Sequence, residues 1–152
     1  MTVRWLVATF HLLALAIGLG AIVVRGRLLR RLQVPDELPA VFRADNLWGL
    51  AALLWLGTGL ARAFGGLEKG TEYYITHPLF LTKMVLFVIV VLLEVRPAMT
   101  LVRWRRRYRS GAELELGPAR WMAMISSVQG GIVVVIVFLA TAIARGIGNG
   151  SI

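Results

Sequence analysis

The chain has 152 residues, of which 58% are hydrophobic and only 16% charged, and its formal net charge is +9. Soluble domains carry about 25% charged residues, so the polar exterior of a water-soluble fold is missing and a lipid solvent is implied. Cysteine is absent, which excludes disulfides, thiolate metal sites, iron–sulfur clusters and cysteine nucleophiles. The length allows one domain, residues 1–152.

Four apolar stretches follow in order, each close to the ~20 residues that cross a hydrocarbon core as a helix. The first runs from Trp5 to Val24. Arg25, Arg27, Arg30 and Arg31 follow it without a small-residue cleavage site, so it reads as a retained helix and not as a signal peptide. One face of it carries Ala8, His11, Ala14, Gly18 and Ala21. Small residues mark helix contact or room for a ligand.

The second stretch runs from Leu47 to Phe64, with Asp45 placed to cap it and Arg43 beside Asp45 in a charged cluster. Trp55, Thr58 and Arg62 share a face near its far end. Arg62 suits interfacial anchoring, or contact with a propionate or lipid phosphate. His77 then precedes Pro78 and reads as an interfacial cap, or as a second metal ligand beside His11.

The third stretch runs from Pro78 to Val95, with Pro78 in the first helical turn and Pro97 near the end or at a kink. Lys83 lies on a face with Phe80, Phe87, Val90 and Glu94, and Glu94 and Arg96 read as an interfacial pair. The basic run Arg103–Arg109 follows; topology and anionic lipid explain it better than an acidic partner does. Gly117 and Pro118 separate it from the fourth stretch, Trp121 to Ile143, in which Ser126, Ser127 and Gln129 are expected to bond between helices. Trp5, Trp48, Tyr73, Tyr74, Trp104 and Trp121 sit near the expected interfaces.

These elements make an all-α, four-helix membrane bundle. Twelve arginines fall in the first and third connections, whereas Arg4, Arg62, Lys69 and Arg145 are the four cations expected at the other side. The positive-inside bias places both termini and the middle connection outside the cytoplasm. The basic runs carry no nucleic-acid motif.

Two polar residues then fall inside the spans. His11 and Lys83 both lie roughly 8–9 Å below the outer ends of their helices. Polar groups at membrane depth are functional candidates, and one shared depth lets them line one site. Each also has a bland reading: a histidine bonded to a neighbouring helix, and a lysine snorkelling to the interface. No G-x-S-x-G, P-loop, dinucleotide fingerprint or H-E-x-x-H is present.

The segments Arg43–Leu50 and Glu68–Tyr74, the run His77–Lys83, and Pro97 with Arg103-Trp104-Arg105 resemble the signature of a family of bacterial four-helix membrane proteins, domain of unknown function 2214. That resemblance covers nearly the whole chain. It implies the fold and a bacterial inner-membrane location, but no activity. A more distant likeness, carried by His11 and Lys83, is to HemJ-type protoporphyrinogen oxidases and CopD-type copper-resistance membrane proteins. It implies haem b or another tetrapyrrole in a redox role. His11 would then be the metal ligand, Lys83 and Arg62 would line the site, and Gly18 would make room on the same stripe. The rival expectation is a cofactor-free accessory subunit of a homo-oligomer or larger membrane complex. Copper transport is disfavoured by the absence of cysteine and of clustered methionine.

Overall fold

The computed structural model describes residues 2–65 and 77–147. They form α1 (Thr2–Arg31), a short 3-10 turn (Pro35–Glu37), α2 (Leu38–Phe64), α3 (Pro78–Ser110) and α4 (Ala119–Ala144). All four α-helices are long and apolar enough to cross a membrane, and no strand occurs among the described residues. The segment Glu68–Tyr74 and the interfacial tyrosines Tyr73 and Tyr74 lie outside the described residues.

Three helices outrun their apolar stretches, and burial explains each extension. α1 continues through Gly26 and Leu29, both buried. α2 begins at Leu38, because Leu38, Val41 and Ala44 recur at helical spacing and are buried. Asp45 therefore lies inside α2 and does not cap it. α3 passes through Pro97 to Ser110, with Pro97, Thr100, Leu101 and Trp104 buried beyond it. Gly111 then ends α3 in the left-handed conformation, φ 67°, which glycine adopts without a Cβ clash. Pro78 does occupy the first turn of α3, and Pro118 directly precedes α4.

Polarity is inverted relative to a soluble bundle. Leu53 and Phe138 are 70% and 71% exposed, whereas Arg25 and Gln129 are fully buried. An apolar exterior around a polar centre is what a lipid solvent selects.

Arg25 is that centre, and it takes an acceptor from every other helix. Its Nη1 donates to Asp45 Oδ1 of α2 at 2.8 Å and to Glu94 Oε1 of α3 at 2.5 Å. Its Nη2 donates to Glu94 Oε2 at 2.8 Å and to Gln129 Oε1 of α4 at 3.2 Å. Its Nε donates to Ser126 Oγ at 3.2 Å. All the N–H groups of the guanidinium are thus used. Gln129 Nε2 donates onward to Glu94 Oε2 at 2.8 Å and to the Val90 carbonyl at 3.2 Å. Arg105 closes the cluster by donating to Asp45 Oδ2 at 2.7 Å.

These contacts correct several expectations. Glu94 pairs with Arg25 and not with Arg96, and Asp45 pairs with Arg25 and Arg105 and not with Arg43. Trp48 and Trp104 are buried between the helices. Gln129 and Ser126 do bond between helices, and Ser127 accepts from Arg30 Nη2 at 3.0 Å.

The polar layer separates two apolar ones. On one side lie Ala14, Ala21, Ile22, Trp48, Trp55, Val90, Val133 and Ile136. On the other lie Leu29, Leu38, Val41, Leu101, Trp104, Ala119, Met122 and Ala123. The close helix approaches are α1 with α2, α1 with α4, and α3 with α4. Side chains bridge α2 and α3, through Arg105 on Asp45 and Asn46 at one end and Trp55 against Phe87 further along.

The small-residue stripe of α1 faces inward, with Ala14, Gly18 and Ala21 buried. A Cβ on Gly18 would meet Ala51 Cβ at 3.3 Å, while one on Gly20 would meet nothing within 4 Å. Gly18→Leu is expected to wedge α1 from α2, cost about 1–3 kcal/mol and lower the melting temperature in detergent. Gly20→Leu should leave it nearly unchanged. Equal melting temperatures for the two variants would contradict this packing.

Candidate functional site

Helices that alternate in direction bring the start of α1, the end of α2, the start of α3 and the end of α4 to one end of the bundle. A cleft of about 310 Å³ opens there, at the lower end of the usual size for small-molecule sites. All four helices line it. His11, Arg62 and Lys83 bring polarity to the lining, and Leu15, Phe87 and Ile136 are among its apolar residues. The shared depth of His11 and Lys83 thus corresponds to a shared cavity, and Arg62 joins them. Gly18 does not; it packs on Ala51 and Trp48.

α2 engages both ring nitrogens of His11. Trp55 Nε1 donates to His11 Nε2 at 3.0 Å, and His11 Nδ1 lies 2.9 Å from Thr58 Oγ1. Thr58 Oγ1 itself lies 2.6 Å from the Leu54 carbonyl, its acceptor. The hydroxyl proton is therefore spent on the backbone, and Thr58 receives the Nδ1 proton of a neutral imidazole. Gly59 makes the close approach feasible, since a Cβ there would lie 3.2 Å from His11 Cε1. Trp55 is held in turn by an edge contact with Phe87, with centroids 5.6 Å apart.

Lys83 is half-buried, with its Nζ 4.6 Å from the centre of the Phe80 ring, within cation–π range. Arg62 is half-buried on the opposite lining helix. His77 is buried, and its side chain makes no capping bond. Its carbonyl instead accepts the Phe80 and Leu81 N–H groups at 3.0 and 3.1 Å. His77 thus caps α3 through its backbone, and it is not part of the cleft lining.

Both His11 nitrogens are engaged by α2. Iron at Nε2 would have to displace the Trp55 indole N–H, and iron at Nδ1 would have to displace Thr58. Among the described residues, no group of three His, Asp or Glu side chains gathers to hold a metal. This arrangement does not fit an axial haem ligand at His11. It fits a hydrogen-bonding wall beside two cations.

Sequence reasoning found His11, Lys83 and Arg62 because charge and imidazole stand out in apolar runs. It placed Thr58 and Trp55 on one face without linking them to His11, and it missed Gly59. The clue to Gly59 was a glycine one residue beyond Thr58 inside an otherwise regular helix.

The tautomer is directly measurable. Nitrogen NMR of imidazole-labelled protein should show His11 neutral, with its proton on Nδ1. Trp55→Phe removes the indole donor and should shift the Nε2 resonance towards that of an unbonded nitrogen. A wild-type His11 carrying its proton on Nε2 would contradict the hydrogen-bond directions.

Comparison with known proteins bears on the whole chain. No curated protein matches it, and no solved structure does. The likeness to HemJ-type and CopD-type proteins therefore gains no support. A family profile described as "predicted membrane protein (DUF2214)" matches residues 3–148. With four membrane-length apolar helices and a match over nearly its full length, the chain belongs to the DUF2214 family of predicted membrane proteins.

Proposed function

We propose that this membrane protein binds a small amphipathic molecule in the cleft between its four helices, with an acidic or hydrogen-bonding end of the ligand set against Lys83, Arg62 and His11. One observation supports the reading above others: the cleft joins an apolar lining from all four helices to two cationic side chains and an imidazole held in a fixed orientation. Such sites gain affinity from apolar burial and orientation from a few polar groups. Carboxylate and phosphate both suit Arg and Lys. A tetrapyrrole has this chemistry in its propionates, and Arg62 and Lys83 would meet those. Its iron would find no His11 nitrogen unless Trp55 or Thr58 moved.

The orientation that goes with this reading follows from the arginines. The cleft lies at the end with few cations, which the positive-inside bias places outside the cytoplasm of a bacterial inner membrane. Ligand would then enter from the outer leaflet.

The test is the molecule that stays with the protein through purification in mild detergent. Wild type should retain an acidic amphiphile at near-stoichiometric amount by mass spectrometry. Lys83→Met and Arg62→Gln should each lose it about tenfold, as expected for one desolvated charge-assisted contact, while helical content stays constant. A reporter fused after Ile152 that works only outside the cytoplasm should be active. Wild type without any retained amphiphile, or variants that keep it equally, would favour the cofactor-free accessory subunit. A Soret band abolished by His11→Ala would contradict the hydrogen-bonded role of His11 and restore haem ligation.

A further inference from the structure

The opposite end of the bundle carries a second feature, independent of the cleft. α1 and α4 approach closely there: a Cβ on Gly26 would lie 3.2 Å from Ser126 Cβ, and 3.9 Å from Ser127 Oγ. Arg30 leans across this contact from α1, its Nη2 donating to Ser127 Oγ at 3.0 Å. That bond fixes which sides of the two helices face one groove. On α1 the side containing Arg30 continues, at helical spacing, through Arg27 and Val23. On α4 the side containing Ser127 continues through Met124 and Arg120 in one direction and Gly131 and Val134 in the other. All of these residues are exposed. A Cβ on Gly131 would meet nothing within 4 Å, so that position of α4 is open.

The charge here is uncompensated. Among the described residues, ion pairs join Arg25 to Asp45 and Glu94, and Arg105 to Asp45. Arg27, Arg30 and Arg120 enter none of them, and Ser127 offers Arg30 only a neutral hydroxyl. On α3, Arg105 is tied to Asp45, and the exposed Arg106 and Arg109 lie on a different helix from this groove. Three cations thus lie at the point where an apolar groove ends. Val23 and Met124, 40% and 58% exposed, begin the apolar part.

We propose that this α1–α4 groove is a binding site for one anionic glycerophospholipid. Its phosphate is held by Arg27, Arg30 and Arg120, and an acyl chain lies along Val23, Met124, Gly131 and Val134. The charge fits phosphate, which arginine recognises with parallel N–H donors. The apolar continuation at one end of the cations fits a lipid tail and has no use for a free anion. Basic sites between transmembrane helices at the arginine-rich side of a membrane bind such headgroups.

The experiment compares lipid retention by native mass spectrometry of the full chain in detergent. Added phosphatidylglycerol is titrated against phosphatidylcholine of the same chains. Wild type should bind phosphatidylglycerol in a single-copy step and prefer it over phosphatidylcholine by about tenfold or more. The triple variant Arg27→Gln/Arg30→Gln/Arg120→Gln should lose that preference, and the corresponding triple change to lysine should recover most of it. The control Arg106→Gln/Arg109→Gln removes exposed charge from α3 and should alter affinity less than about twofold. Melting temperatures of all variants establish that they are folded. Glycerophosphate should not displace the lipid, and if it does at equal concentration the site takes free phosphate. Equal binding of the two lipids, an undiminished preference in the glutamine triple variant, or an equal loss in the α3 control would each overturn the proposal.

Discussion

One guanidinium group organises this bundle. Arg25 is fully buried, and each of its N–H groups meets an acceptor drawn from α2, α3 or α4. Bringing a charge out of water costs several kcal/mol even after relaxation, and an apolar solvent offers no other donors or acceptors as relief. The cost is offset only where all partners are present together. Arg25 therefore acts as a registry device. α1 can slide or rotate against its neighbours only by leaving Glu94, Asp45, Gln129 and Ser126 unsatisfied. Glu94 has the same constraint, since it also accepts from Gln129.

The rest of the architecture follows from that layer. Apolar packing by itself is weakly directional between helices in lipid, because tails are as apolar as leucine. The two apolar layers on either side of the network hence rely on it for alignment. Arg105 carries the network to the edge of α2, where backbone approach to α3 is sparse and side chains bridge the gap. Some 21 Å further along α1, fourteen residues at 1.5 Å each, the helices part enough to leave the cleft around His11. The far end can remain open because the middle is held. The hydrogen bonds from Trp55 and to Thr58 then fix one imidazole without closing the cavity.

Much of this was legible in the sequence. Four apolar runs of membrane length, Pro78 at a helix start and Gly117-Pro118 before the last helix all correspond to the structure. The placement of His11 and Lys83 in one cavity was available from their matching depth in two helices that start at the same end of the bundle. Arg25 was not legible as a structural residue. It heads a run of arginines that signals topology, and counting charges treats Arg25 like its exposed neighbours Arg27 and Arg30. Its partners lie 20, 69 and 104 residues away, with no local pattern to join them. Asp45 looked like a cap because a carboxylate stands just before an apolar run, yet burial of Leu38 and Val41 carries the helix past it. Glu94 looked paired with Arg96 because they are close in sequence, although residues two apart on a helix point to different sides.

The most direct test of the registry role is a double-mutant cycle between Arg25 and Glu94, followed by reversible unfolding in mixed detergent. Arg25→Met and Glu94→Gln should each destabilise the bundle by about 3–5 kcal/mol, because each strands a charged partner inside the bundle. The double variant should be much less unstable than the sum, with a coupling of more than about 1 kcal/mol. Additive effects within about 0.5 kcal/mol would contradict the central position of Arg25.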